Sequence, residues 1–125
     1  MSNYIMVIDD SPTIRASVEI SVKSLGIPVK QAENGIDALN KIKGIKDSGD
    51  DVALCVCDIN MPQMDGISFI KEFRKTDKFT PVVVLTTESE ESRIQEGKDA
   101  GAAGWLIKPF KPEQLLSVIE RFIKK

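Results

Sequence analysis

The segment from residue 52 to residue 66 constrains the fold more than any other part of the chain. It begins with the apolar run Val-Ala-Leu-Cys-Val-Cys, which is typical of a strand buried on both faces of a parallel sheet. The run stops at the carboxylate of Asp58 and continues as a loop that ends in the turn signal Asp65-Gly66. The segment therefore predicts a buried strand with an acid at its carboxyl end, where open α/β sheets bind ligands.

Four further apolar runs alternate with amphipathic patterns along the chain. The predicted strands span residues 4–8, 28–32, 52–58, 82–85 and 104–107. Ser11-Pro12 indicates a helix start, Gly26 a helix end and Asn34-Gly35 a turn. The next helix is predicted from apolar residues at helical spacing, namely Ile36, Leu39, Ile42 and Ile45. Five strands alternating with five helices predict an α/β protein with a parallel sheet and right-handed crossovers.

The composition is that of an ordinary globular domain. The 125 residues are 42% hydrophobic and 29% charged, with a formal net charge of −2, so we expect one domain over residues 1–125 without an output domain. Neither the charge nor any apolar run indicates nucleic acid or a membrane as a partner, and no signal peptide precedes the first strand. A cytoplasmic location is the default expectation. The absence of His from the sequence excludes His-based catalysis.

The two cysteines, Cys55 and Cys57, are two residues apart on the predicted third strand and therefore share one face of it. A metal site or a redox site would need more ligands and a different spacing. We therefore expect both to be small buried hydrophobic residues.

Chemistry-bearing side chains follow four of the five predicted strands. Parallel strands bring their carboxyl ends to one edge of the sheet, where these residues would meet. They are Asp9, Asp10, Asp58, Thr86 and Lys108. Two carboxylates about 5 Å apart repel each other by roughly 3 kcal/mol at an effective dielectric of about 20, so such a group needs compensating positive charge. Lys108 supplies one charge, and a cation bound by hard oxygen ligands, Mg²⁺, would supply the rest.

This set of groups is suited to phosphoryl transfer. A carboxylate can act as the nucleophile and form an aspartyl phosphate, which identifies Asp58 as the predicted acceptor. We expect Asp10 to bind the metal directly, Asp9 to hold a second coordination position or a metal-bound water, and the backbone carbonyl of Asn60 to be a further ligand. Lys108 and the Thr86 hydroxyl would bind phosphoryl oxygens. The alternative is that the two adjacent acids cap the first helix and the lysine is a solvated surface charge.

The motifs at these strand ends resemble those of the receiver domain of two-component response regulators, and among them the stand-alone CheY-like chemotaxis regulators. The resemblance covers the whole chain. It is carried by Ile8-Asp9-Asp10-Ser11, by residues 57–66, by Leu85-Thr86-Thr87-Glu88 and by residues 101–110. It implies a flavodoxin-like doubly wound sheet of strand order 2-1-3-4-5. It also implies Mg²⁺-dependent phosphorylation of Asp58 by a CheA-like histidine kinase, and a cis Lys108-Pro109 peptide.

The same resemblance assigns roles to three further positions. Asn60 and Glu88 match the positions that set the lifetime of the phosphoryl group, and they are candidates for contact with an auxiliary phosphatase. Trp105 stands where the family usually has Tyr or Phe as a switch residue that follows the movement of Thr86. The alternative is a Trp packed on the surface beside Phe110. The surface that switches would be formed by the fourth helix, the fifth strand and the fifth helix. Its partner would be a flagellar motor switch protein or another target. The protein is expected to be a monomer.

Two other function classes compete with this interpretation. A Mg²⁺-dependent phosphohydrolase would also use an aspartyl phosphate, but enzymes of the haloacid dehalogenase type place nucleophile and acid two residues apart after the first strand. Here the acids Asp9 and Asp10 are adjacent, the predicted nucleophile follows the third strand, and no cap insertion is present. A flavodoxin would have a hydroxyl-rich phosphate loop where this chain has two acids.

Overall fold

Five parallel strands form one sheet, and helices cover both of its faces. The computed structural model describes residues 2–87 and 92–123. The strands are β1 (Asn3–Ile8), β2 (Val29–Ala32), β3 (Asp51–Asp58), β4 (Val82–Thr86) and β5 (Gly104–Ile107). The helices are α1 (Pro12–Val22), α2 (Gly35–Asp47), α3 (Gly66–Phe73), α4 (Ile94–Ala100) and α5 (Pro112–Glu120). All pairings are parallel and the spatial order is β2-β1-β3-β4-β5, which confirms the doubly wound α/β fold.

The central strand β3 is buried on both faces. Leu54 and Val56 pack in a core with α1 and α5, whereas Cys55 and Cys57 pack in the opposite core with α2 and α3. This alternation is what a strand inside a two-sided core requires. Both cysteines are free and fully buried, as expected, and burial raises the pKa of the Cys55 thiol to about 12.

Polar side chains fix the starts of the first three helices. The Ser11 hydroxyl accepts from the backbone N–H of Ile14 at 3.2 Å, which confirms the predicted cap of α1. Asn34 caps α2 and Asp65 caps α3 in the same manner. Asn34-Gly35, predicted as a turn, is therefore the first step of α2. Each cap lies between the carboxyl end of a strand and the helix that follows.

The inner face of α2 differs from the predicted one. Ile36 is 45% exposed, whereas Ala38, Ile42 and Ile45 are buried. A spacing of three residues advances about 300° around a helix, so a series of such steps drifts off one face. The observed steps of four and three stay on it.

No helix in residues 2–87 and 92–123 is long and apolar enough to cross a membrane.

Candidate functional site

The strand ends bring the predicted acids and the lysine to one edge of the sheet. Asp9 and Asp10 follow β1, Asp58 ends β3, and Lys108 follows β5. Asp9 and Asp58 are buried, and Asp10 is exposed. One carboxylate oxygen of each acid lies within 4.8 Å of the others. The sequence prediction that distant acids converge is therefore matched by the geometry.

Lys108 lies between the two buried acids. Its Nζ is 3.3 Å from Asp9 Oδ2 and 3.3 Å from Asp58 Oδ1. Burial acts to lower the pKa of the ammonium group, but the Asp58 and Asp9 carboxylates outweigh it and raise this pKa above its usual value. The lysine is therefore held charged against both acids.

Burial raises the pKa of the Asp58 carboxyl group. Desolvation, with a further contribution from the nearby Asp9 carboxylate, raises the pKa of Asp58 to about 6, although Lys108 and the backbone N–H of Asn60 act in the opposite direction. That N–H donates to Asp58 Oδ1 over 3.4 Å, a long hydrogen bond. One ammonium group therefore does not fully compensate the acids, and an added cation would be favoured here.

Two hydrogen bonds hold Asp9 in place. The backbone N–H of Ser11 donates to Asp9 Oδ1 at 2.9 Å, and Arg15 Nη1 donates to the Asp9 carbonyl at 2.6 Å. Arg15 had no signal in the sequence beyond its place one turn into the first helix. It is a supporting residue that the sequence interpretation missed.

The loop after Asp58 is drawn tightly against the strand end. The backbone N–H of Gly66 donates to the Ile59 carbonyl at 3.0 Å. A Cβ at Gly66 would collide with the backbone carbonyl of Asp58 and would lie 2.8 Å from Ile59 Cα. Glycine is required here because the start of α3 passes this close to the acceptor strand.

Thr86 is completely buried at the end of β4. Its hydroxyl donates to the Thr87 carbonyl at 3.2 Å, and its own carbonyl accepts from the backbone N–H of Lys108 at 2.6 Å. β4 therefore contacts the residue that carries the ammonium group. The Lys108-Pro109 peptide is cis, as the resemblance implied.

The remaining predicted residues lie around this centre. Asn60 is exposed, and Glu88 is outside the described residues. Trp105 is 41% exposed, and Lys98 Nζ lies 4.1 Å from the centroid of its ring. An ion pair that the sequence did not reveal joins Arg93 Nη2 to Asp65 Oδ2 at 3.0 Å, and it ties the start of α4 to the cap of α3.

The donor set fits Mg²⁺. Its carboxylates are hard oxygen ligands, and Mg²⁺ in proteins is commonly bound by one or two carboxylates together with water and phosphate oxygens. Asp10 is exposed, and Lys108 and the Asn60 N–H both contact Asp58 through Oδ1, which leaves Asp58 Oδ2 to offer a cation. Asp9 Oδ1 already accepts from Ser11, which suits a supporting position. The assignment of each acid to a particular coordination position stays a prediction.

Comparison with known proteins gives a consistent family. The family model "Response regulator receiver domain" matches residues 5–120. Chemotaxis protein CheY1 of Helicobacter pylori is 31% identical over 119 residues, which are 93% of each chain. The sensor histidine kinase CheAY of the same organism is 36% identical over 127 residues, and the match covers 98% of this chain but 15% of the kinase.

A solved structure gives the same result in three dimensions. Chemotaxis protein CheY4 of Vibrio cholerae superposes with a TM-score of 0.87 at 38% sequence identity. The alignment covers 98% of this chain and 100% of CheY4. This chain therefore agrees with one family in both its sequence and its structure.

Proposed function

Since this chain belongs to the response regulator receiver domain family, we propose that it accepts a phosphoryl group on Asp58 from a CheA-like histidine kinase. CheY-type receiver domains are signalling domains, and this chain would act as one in a two-component system. The observation that carries the proposal is the placement of Lys108 Nζ 3.3 Å from both Asp58 and Asp9. It puts a cation beside the acceptor oxygen, where the phosphoryl charge would arrive.

The chemistry follows from the groups at the strand ends. An Asp58 carboxylate oxygen attacks the phosphorus, the bond from phosphorus to the donor nitrogen breaks, and its electron pair returns to the donor imidazole. Lys108 and the Thr86 hydroxyl stabilise the charge on the phosphoryl oxygens. A Mg²⁺ ion held by Asp10, Asp58 and the Asn60 carbonyl, with Asp9 in support, would supply further charge neutralisation.

The output would be a change of the surface formed by α4, β5 and α5. The phosphoryl group adds a charge of about −1.5 to −2, toward which the Thr86 hydroxyl would move, with Trp105 following. The likeness to CheY1 and CheY4, which are chemotaxis proteins by name, supports a chemotaxis role. The target would be a flagellar motor switch protein or another partner. Asn60 and Glu88 would set the lifetime of the phosphoryl group, alone or with an auxiliary phosphatase. We propose that the protein is monomeric and cytoplasmic.

Acetyl phosphate with Mg²⁺ gives the direct test. We expect intact mass spectrometry to show one added phosphoryl group on the wild type, none on Asp58→Asn, and none when a chelator removes the metal. Asp47→Asn is the matched control, because Asp47 is an exposed acid of α2 remote from the site, and it should be modified like the wild type. A phosphoryl group on Asp58→Asn would disprove the assignment of the acceptor.

The competing phosphohydrolase makes a different prediction with the same protein. Such an enzyme would release many equivalents of phosphate from a simple phosphate monoester, whereas a receiver domain should be modified once by acetyl phosphate and should leave the monoester intact. Sustained release that disappears in Asp58→Asn would replace the signalling proposal with the enzyme. Transfer from a phosphorylated CheA-like kinase to the wild type, measured by loss of label from the kinase, would identify the physiological donor class.

A further inference from the structure

The ring of Trp105 on β5 is covered by a cation from α4. Lys98 Nζ lies 4.1 Å from the centroid of the indole ring, well within the range of a cation–π contact. Trp105 is 41% exposed, so the ring lies at the surface with the ammonium group over it. This side-chain pair joins the last turns of α4 to β5.

Trp105 projects from the same face of the sheet as Thr86. Val84 lies opposite Trp105 in the β4–β5 register, and Thr86 lies opposite Ile107. Because side chains alternate along a strand, Thr86, two residues after Val84, shares the face of Val84 and Trp105. Thr86 is fully buried there, whereas Trp105 lies at the surface. An inward rotation of the indole ring would therefore move it away from Lys98 and toward Thr86 on the same face of the sheet.

We propose that Lys98 is a positioning residue that holds Trp105 outward and so lowers the fraction of molecules in the switched conformation before phosphorylation. The proposal rests on the proposed switch roles of Thr86 and Trp105. A ring that turns inward gives up the cation, so the contact stabilises only the outward state and shifts the equilibrium between the two. For an exposed cation–π pair the expected shift is about two- to fivefold.

Lys98 is well placed for a clean substitution. Within residues 2–87 and 92–123, none of the salt bridges involves it. The alternative is a purely structural role, because a cation in the last turn of a helix interacts favourably with the helix dipole. That role would change the denaturation midpoint but not the beryllofluoride concentration that gives half of the change in Trp105 fluorescence. The two roles can therefore be separated by a readout on the indole ring.

The first measurement uses the protein without metal or phosphoryl group. In Lys98→Met, which keeps the aliphatic stem and removes the charge, we expect a blue-shifted Trp105 emission and weaker quenching by acrylamide, a neutral quencher. Lys98→Arg should retain the wild-type values. Lys71→Met is the control, since Lys71 is an exposed lysine of α3, and it should also leave them unchanged. Wild-type emission and quenching in Lys98→Met, or equal changes in Lys71→Met, would overturn the proposal.

The second measurement adds Mg²⁺ and beryllofluoride, a phosphoryl mimic. The beryllofluoride concentration that gives half of the fluorescence change should fall about two- to fivefold in Lys98→Met and remain at the wild-type value in Lys98→Arg. An unchanged half-saturation in Lys98→Met would contradict the proposal. Intact mass after acetyl phosphate treatment reports on Asp58 separately, so a failure of the proposed phosphorylation is distinguished from a failure of the role of Lys98.

Discussion

At the scale of single residues, Asp77 shows how one carboxylate can organise a turn. It lies just after α3, and its oxygens accept from the backbone N–H groups of Phe79 and Thr80, from the Thr80 hydroxyl at 2.6 Å and from Lys46 Nζ at 2.6 Å. Burial acts to raise the pKa of Asp77, but the Lys46 ammonium and the Thr80 hydrogen bonds outweigh it and hold this pKa well below its usual value.

Asp77→Asn should lower the free energy of unfolding at pH 7 by about 2 kcal/mol, because it removes charge-assisted hydrogen bonds. The folded-state pKa is depressed, so the stabilisation is present above the unfolded-state value near 4 and is lost as pH falls through the folded value. Urea denaturation at pH 7 and pH 3 should therefore show a smaller difference between variant and wild type at pH 3. Asp47→Asn, at an exposed ion pair, should change stability by less than about 0.5 kcal/mol. A difference that grew on acidification would contradict this account.

Residues whose role follows from their place after a strand were predictable from the sequence. Asp9, Asp58 and Lys108 each follow an apolar run, and parallel strands bring such positions together whatever the details of packing. The ion pair of Asp77 with Lys46 and the contact of Lys98 with Trp105 were not predictable. They join side chains from separate elements, and no local pattern of apolar and polar residues records which of these side chains meet.

At the scale of elements, Arg74 holds α3 against the end of α4. Its Nε and Nη2 donate to the Gly101 carbonyl at 3.2 and 2.8 Å, and Nη1 donates to the Asp77 carbonyl at 3.1 Å. Gly101 ends α4 with a φ of +116°, and a Cβ there would lie 2.8 Å from Arg74 Nε. The planar guanidinium thus serves two chain segments at once, while its face lies 5.6 Å from the Phe73 ring centroid.

Arg74→Lys should destabilise the protein by about 1–3 kcal/mol, because an ammonium group cannot reproduce the forked contact with the Gly101 carbonyl. Thermal or urea denaturation monitored by far-UV circular dichroism would measure it. The same exchange at Arg121, an exposed residue that follows α5, is the control and should have an effect below about 0.5 kcal/mol. Equal effects at the two positions would show that the loss of the guanidinium alone, rather than its contacts, is responsible.

The bounds of most elements were also within reach of the sequence, because caps and breakers mark them. Ser11 and the apolar runs were sufficient for β1 and for the start of α1. The predicted helix end at Gly26 was wrong for α1, because α1 ends at Val22 and Gly26 ends the short 3-10 turn Lys23–Leu25 that follows it. The face of α2 was not, since both Ile36 and Ala38 suit an amphipathic helix and the choice between them depends on how α2 lies against the sheet. The acids Glu88, Glu90 and Glu91 predict the start of the fourth helix, where the helix dipole favours negative charge, but they lie outside the described residues.

At the scale of the whole molecule, the acidic site lowers the free energy of unfolding. Three carboxylates share one edge of the sheet, and Lys108 compensates them incompletely, as the pKa of Asp58 near 6 shows. Asp58→Asn should therefore raise the global free energy of unfolding at pH 7 by about 1–3 kcal/mol in the presence of a chelator. Mg²⁺ should stabilise the wild type and reduce this gain, because it binds the folded state with Asp58 ionised.

Urea denaturation with and without Mg²⁺ measures both effects. The control is Asp47→Asn, which should neither gain stability in chelator nor alter the response to Mg²⁺. A destabilised Asp58→Asn variant would mean that the carboxylate contributes more through Lys108 than it loses by burial and repulsion.

The sheet order itself was not contained in the strand spacing and followed from the family resemblance, because short crossovers permit several orders.

The close approach at Gly66 has a consequence for the history of this chain. A hydrogen atom is all that fits between the start of α3 and the Asp58 carbonyl, so any residue other than glycine at this position displaces the strand that carries the acceptor. Phosphoryl acceptance and glycine at this site would thus be inherited together or lost together.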